Sequence, residues 1–393
     1  MLRNAQDTGS RRGSLPLPTI VKHVIKDNPR VISYAVIANS GSLLFGYDIL
    51  VTGACVALPA FSITYDKLYN GQLILPAKWQ SLWTAFDQFG IMLGAFSNSF
   101  IQDKFGRRVA YIIGGTSSGF LLLRKVINGV GMGMLMSACH TYVSEVAPPR
   151  LRGALLGFFA FVVGIGQMIA ITLVPLAIQW GFSGLAIMTA FILPESPRYL
   201  ITKSKRVAAE KAYIRLHGPK TDVAAGLNTI QSTIDHERAM TASAETATYA
   251  DCFKGPNARR TWIITLITTM QHFLGVSLLS NANYFLIMAG MSPTKSLQVS
   301  QIGMGLQIAY TYISWFTMSW LGRRFSDITA RYSLVVANEV SSIRLRAKSS
   351  GIGFLVNTFG GGVFTIAVTY LFNADAANLG AKIGFVFARF CLL

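Results

Sequence analysis

The sequence predicts an all-α polytopic membrane protein, and three observations lead there. Hydrophobic residues make up 52% of the 393 positions and charged residues only 13%, with a mean hydropathy of +0.44; that composition suits helices packed in lipid and excludes intrinsic disorder. Long uncharged stretches recur along the chain. The basic residues between them fall on one side, and two charged motifs repeat in the same order.

Taken in order, residues 1–30 are polar and basic, without the apolar core and small-residue cleavage site of a signal peptide, so a cytosolic tail is expected. Apolar stretches follow at about 31–60, 79–102, 109–123, 126–144 and 153–193. A crossing helix needs roughly 20 residues. Gly153 to Leu193 therefore holds two passes only with a tight turn, placed near Pro175. Residues 31–193 form the expected N-terminal helical bundle. Residues 194–260 are the one long polar stretch, helix-forming at Val207–Leu216 and around Ile230–Met240, expected to lie as a tether on the inner membrane face. Apolar stretches then resume at about 261–290, 296–321, 349–372 and 379–393, giving a second, incomplete bundle over 261–393.

Charge orients these passes. With the tail inside, the outer loops at 61–78 and 291–296 carry only Lys67, Lys78 and Lys295, while the inner segments hold 28 of the 35 Lys and Arg residues. This is the positive-inside asymmetry. It accounts for the net charge of +18 without nucleic acid, which would need a basic, folded soluble face. Cys55, Cys139, Cys252 and Cys391 are far apart with no CxxC, so neither a zinc site nor a disulfide framework is indicated.

The two halves echo each other. Asp103-Lys104-Phe105-Gly106-Arg107-Arg108 recurs as Ser319-Trp320-Leu321-Gly322-Arg323-Arg324, and Glu145 to Arg152 recurs as Glu339 to Arg346 with the acid and both arginines in register. Duplicated halves follow. Arg108 and Glu145 are 37 positions apart, but Arg324 and Glu339 only 15, a difference of about one pass. Because both ends of this interval are basic and belong inside, the second copy is too short to leave and return.

DKFGRR, YVSEVAPPRLRG at 142–153, PESPRYL at 194–200, QHFLG at 271–275 and YSLVVANEVSSIRLRAKS at 332–349 together resemble the sugar porters of the major facilitator superfamily; KVINGVGMGM and YFLIMAGMS are most similar to the fungal α-glucoside, or maltose, permeases. The resemblance covers nearly everything after residue 30. It implies two six-helix bundles that rock about a central cavity, here with about ten of the twelve helices, the ninth and most of the tenth being absent between Arg324 and Tyr332 and the third and the fifth–sixth junction shortened.

Asp48 stands in Phe45-Gly46-Tyr47-Asp48, inside a span, where a carboxylate is costly and faces a cavity or a cation. The resemblance makes it the proton-binding acid, with Lys125 at the position of the family's arginine partner; a fixed Asp48–Lys125 tie is the alternative. It also implies a sugar site at Gln167, Gln271, His272, which replaces a second amide, and Ser277, where many relatives have Asn. Amides suit sugars because they donate and accept at once. Any one of these groups could equally tie helices together.

Asp103, Gly106, Arg107 and Arg108, Glu145, Arg150 and Arg152, and Glu195 and Arg198 mark the ends of three helices, and pairs between them bias a two-state equilibrium. In the family such motifs latch the outward-facing state. Gly322, Arg323, Arg324, Glu339, Arg344 and Arg346 form the second copy, weaker because Ser319 stands in place of the acid. Asp87 and Arg389 receive no role, and Gly360-Gly361-Gly362 reads as a closely packed helix segment, since no GKS/T accompanies it.

These expectations describe a secondary active carrier in a multi-pass membrane location, the plasma membrane by resemblance: its substrate is a small sugar, an α-glucoside by the same likeness, taken up with a proton, without cofactor or metal. A sugar sensor that does not transport, or an inactive truncated paralogue, is the alternative. An enzyme is disfavoured, because no HExxH, GxSxG or P-loop occurs.

Overall fold

The computed structural model describes residues 29–56, 63, 65, 67–69, 72–116, 124–147, 152–173, 178–219, 221–242, 249–273, 275, 277–278, 281–320, 346–373, 377 and 379–392. In the first half, α1 (Pro29–Ala38) and α2 (Ser40–Val56) form one broken span, followed by α3 (Ala77–Phe105), α4 (Arg107–Thr116), α5 (Arg124–Val146), α6 (Arg152–Thr172) and α7 (Ile178–Ile192). Three shorter helices follow, α8 (Pro197–Thr202), α9 (Arg206–His217) and α10 (Val223–Ala242). The second half holds α11 (Gly255–Phe273), α12 (Ala282–Met288), α13 (Pro293–Trp320), α14 (Arg346–Phe372) and α15 (Ile383–Leu392). The interval between Arg324 and Tyr332, where two passes are expected to be missing, lies outside the described residues.

The all-helical expectation has one addition. Lys67–Tyr69 and Gln72–Ile74 pair antiparallel, Leu68 opposite Leu73, in the loop before α3. The sequence between them is Asn70-Gly71, the dipeptide that most favours a two-residue hairpin connection.

Helix contact within the first half is set by missing side chains. Lipid offers no hydrophobic drive between helices, so close backbone approach must supply van der Waals contact. Gly90 and Gly94 on α3 face Gly129 and Gly133 on α5; a Cβ on Gly90 would strike the Val126 carbonyl, and one on Gly94 the Val130 carbonyl. The pair is therefore a parallel small-xxx-small seam. Gly46 of α2 meets the Val163 carbonyl, and Gly166 of α6 the Leu43 carbonyl, closing a second seam in the same way.

The break between α1 and α2 is satisfied locally. Asn39 donates through Nδ2 to the Ala35 carbonyl at 2.8 Å and accepts from Ser42 at 3.0 Å. The Ala38 carbonyl accepts from the Tyr111 hydroxyl at 2.9 Å and from the Cys139 thiol at 3.1 Å. Phe86, Phe89, Leu93 and Phe96 recur at helical spacing along α3 and are all exposed. Such a stripe is what a hydrocarbon solvent accepts.

Among the described residues the halves meet chiefly where α3 packs on α14 and α6 on α13, with a smaller contact of α12 on α2. At the Leu75 end of α3 they are joined by hydrogen bonds. Asn373 donates to the Leu75 carbonyl at 2.8 Å, the Leu75 N–H donates to the Tyr284 hydroxyl at 3.2 Å, and Gln80 donates to Asn281 at 3.1 Å. The opposite end of α3, 29 residues away and so about 43 Å at 1.5 Å per residue, carries Arg107.

Candidate functional site

At the Arg107 end, three sequence-distant motifs converge. The chain leaves α3 through Gly106 with φ +98°, where a Cβ would lie 2.9 Å from Glu195 Oε2 and 3.1 Å from Tyr199. Only glycine suits that backbone and that space. The turn opens α4, whose first N–H groups meet the Glu195 carboxylate: Arg107 N–H donates to Oε1 at 2.8 Å and Arg108 N–H reaches Oε2 at 3.5 Å. A carboxylate at a helix N-terminus answers both the unpaired donors and the dipole. Arg107 then grips Glu145 bidentately, Nη2 to Oε1 at 2.6 Å and Nε to Oε2 at 3.1 Å, with both side chains about one-tenth exposed. Arg108 donates to the Ala190 and Phe191 carbonyls that end α7.

Glu145, Ala190 and Phe191 belong to the first half and Glu195 to the turn that leaves it, so the cluster ties α4 to α5, α7 and the segment entering α8. Arg198 lies half-buried on α8. Asp103 falls on α3, Arg152 opens α6 and Arg346 opens α14, but their side chains are outside the described set. Arg150, Gly322, Arg323, Arg324, Glu339 and Arg344 lie outside the described residues altogether.

Within the bundle, Asp48 on α2 is 5% exposed and accepts from Asn128 Nδ2 at 2.8 Å. Asn128 lies one turn beyond Lys125 on α5; the Lys125 side chain is outside the described set. Sequence reasoning passed over Asn128 because the Arg124-Lys125 charges beside it are the more conspicuous partners for an acid.

Gln167 on α6 meets the other half directly. Gln307 Nε2 of α13 donates to Gln167 Oε1 at 2.7 Å. Nothing in the surrounding Met304-Gly305-Leu306-Gln307-Ile308 marks this glutamine in advance, and only the pairing of α6 with α13 brings it out.

His272 ends α11, 7% exposed, with its Nε2 2.9 Å from both the Asn357 backbone carbonyl and Asn357 Oδ1 on α14. Gly360 and Gly361 press on the ring: a Cβ at either would lie 3.3 Å from His272 Cδ2 or 3.1 Å from Cε1, and one at Gly361 would lie 3.7 Å from Gln88 of α3. The glycine cluster is thus a close-packed helix face. Phe364 stacks on the same ring, with centroids 6.1 Å apart. Ser277 is 4% exposed beyond the break at Gly275, while the Gln271 side chain is outside the described set.

The profile of the family described as Sugar (and other) transporter matches residues 34–333. The MFS transporter fmqE of Aspergillus fumigatus is 30% identical over 416 residues, covering 88% of this chain and 78% of its own. The maltose permease MAL31 of Saccharomyces cerevisiae is 25% identical over 470 residues, covering 100% of this chain and 75% of its own. That alignment is longer than the 393-residue chain, so the permease carries internal segments with no counterpart here. Among solved structures, the xylose transporter XylE of E. coli in a partially occluded inward-open conformation matches with a TM-score of 0.69 over 93% of this chain and 97% of its own, at 18% identity, which is a likeness of fold.

Proposed function

The chain belongs to the sugar (and other) transporter family of the major facilitator superfamily, and from that premise we propose that it is a secondary active carrier taking up α-glucosides such as maltose with a proton by alternating access across the plasma membrane. Membership makes it an integral, multi-pass membrane protein. The observation that carries the finer reading is the Gln167–Gln307 amide pair, which spans the two halves at 2.7 Å. Each amide spends one group on the other and keeps a complementary group for a ligand. A sugar hydroxyl inserted there exchanges a bond between the halves for two bonds to substrate, so occupancy and the position of the halves become linked.

Asp48 supplies the proton step in this reading. Ionised, it accepts from Asn128 and ties α2 to α5; a proton on that oxygen removes the acceptor and loosens the tie. Because α2 is locked onto α6 through the Gly46 and Gly166 contacts, movement of α2 carries α6 and Gln167 with it. Lys125 remains the cationic partner proposed for Asp48. Gln271, His272 and Ser277 extend the sugar site along the second half. The Arg107–Glu145–Glu195 cluster acts as a clamp that keeps the first half rigid while it rocks.

Two supports from relatives bear on substrate and coupling: the maltose permease at 25% identity and a proton:xylose symporter structure with a TM-score of 0.67. The deciding experiment is uptake of labelled maltose into proteoliposomes under an inward proton gradient. Accumulation of maltose against its own concentration gradient, abolished by a protonophore, is expected; saccharide binding without flux would instead make the protein a sensor.

A further inference from the structure

Resting on the sugar-carrier reading, we propose that Asn357 is a positioning residue that fixes the tautomer of His272, and that His272 in turn makes the carrier demand a hydrogen-bond donor, a free hydroxyl, at one position of its sugar.

A backbone carbonyl only accepts hydrogen bonds. His272 Nε2 lies 2.9 Å from the Asn357 carbonyl oxygen and equally 2.9 Å from Asn357 Oδ1, so Nε2 must carry the ring proton. In the neutral imidazole the other nitrogen is then a bare acceptor. His272 Nδ1 is buried and has no hydrogen-bond partner. An unmet buried acceptor is costly, and turning the ring over would give up both contacts of Nε2 with Asn357. Gly360 and Gly361 lie against Cδ2 and Cε1, and Phe364 stacks on the ring.

Placement adds the second half of the inference. His272 stands where α11 and α14 of the second half meet Gln88 of α3 in the first, so opening the halves exposes this junction to what enters between them. An amide at this position, as in the QQxxG pattern that the sequence resembles, rotates to donate or accept and tolerates either kind of partner. A histidine held by Asn357 does not. Substrate hydroxyls satisfy Nδ1, whereas a fluorine or O-methyl group at the same carbon leaves two acceptors facing each other. Sites built to bond one hydroxyl reject analogues lacking it strongly, and a single neutral contact gives a discrimination of about tenfold to a hundredfold.

The test has two arms. Monofluoro and mono-O-methyl derivatives of maltose and glucose compete with labelled sugar binding to purified protein, and one ring position is expected to lose about tenfold or more in affinity when its hydroxyl is replaced. His272→Gln should narrow that gap, read as the ratio of analogue to parent-sugar affinity whatever the parent affinity becomes; Asn357→Leu removes Oδ1 but keeps the backbone carbonyl that Nε2 also meets, and should leave the ratio in place. A panel in which no position discriminates, although the parent sugars bind, overturns the proposal and spares the carrier reading; absence of any saccharide binding overturns both. The second arm needs no substrate. In protein labelled with 15N-histidine, the resonances missing from His272→Gln should show a protonated Nε2 and an unprotonated Nδ1 in the wild type, and the same pattern in Asn357→Leu, which keeps the backbone acceptor. An Nδ1-protonated ring in the wild type overturns the proposal outright.

Discussion

Arg107 holds Glu145 with two parallel hydrogen bonds, Nη2 to Oε1 at 2.6 Å and Nε to Oε2 at 3.1 Å, while its own backbone N–H is taken by Glu195 at 2.8 Å. One residue therefore joins α5 to the segment entering α8 at the mouth of α4. A bidentate pair this enclosed cannot be replaced by a point charge. Arg107→Lys is expected to weaken the first half clearly. Arg107→Ala, which strands a nearly buried carboxylate, should cost about 3–5 kcal/mol and appear as a lowered unfolding temperature of the detergent-solubilised protein. Equal unfolding temperatures for wild type and Arg107→Ala would refute a clamp.

Asp48→Asn keeps the shape and the contact with Asn128 while removing the site of protonation. Accumulation of sugar under a proton gradient should disappear, while exchange of labelled for unlabelled sugar across the membrane survives at a comparable rate. Asn128→Leu makes the opposite test: it removes the donor at 2.8 Å and so loosens the α2–α5 tie without a proton, and should weaken the dependence of uptake on the proton gradient. If Asp48→Asn still concentrates sugar, the coupling step lies elsewhere.

How far the sequence alone reaches is visible in these residues. Hydropathy and motif spacing pick out the spans, Asp48 and the Arg107 cluster, because each leaves a local trace: a charge in an apolar run, or a glycine before paired arginines; Gln167 comes only from the family resemblance. Asn128, Gln307 and Asn357 leave no such trace. They are ordinary amides in ordinary helices, and become partners of Asp48, Gln167 and His272 only when helices far apart in sequence are packed. The pairing of Lys67–Tyr69 with Gln72–Ile74 does have a local trace, Asn70-Gly71, which a reading for apolar spans does not look for.

His217 supplies a pH test outside the membrane spans. It ends α9 with its ring 4.4 Å from that of Tyr213, and burial lowers its pKa from the ordinary 6.5. The nearby Asp222, with burial as the larger cause, raises the pKa of Tyr213. For His217 the sign follows from linkage: the unfolded state binds the proton first, so the docking of α9 is at full strength above about pH 6.5 and weakens as pH falls below it. Amide exchange along 206–217, corrected for its intrinsic pH dependence, should therefore accelerate on acidification. His217→Gln should flatten that response; an unchanged acid-driven loosening in this variant would assign the effect to another group.

At the opposite end of α3 the two halves are joined by hydrogen bonds. Leu75 has both of its backbone groups held by the second half, its carbonyl by Asn373 at 2.8 Å and its N–H by the Tyr284 hydroxyl at 3.2 Å, and Gln80 adds a bond to Asn281. Leu75, Tyr284 and Asn373 are all buried, and Phe372 packs edge-on against Tyr284. A separation of the halves at this end must break these bonds together, and each stranded backbone group costs about 1–3 kcal/mol until water reaches it. Loss of one partner should thus tilt the balance toward the state open here. With native cysteines replaced and spin labels at Lys78→Cys and Lys295→Cys, Asn373→Leu is expected to lengthen the mean interlabel distance and broaden its distribution. Tyr284→Phe, which removes only the hydroxyl, should do so less. Distances that stay fixed in both variants would mean that the hub adds stability without holding this end shut.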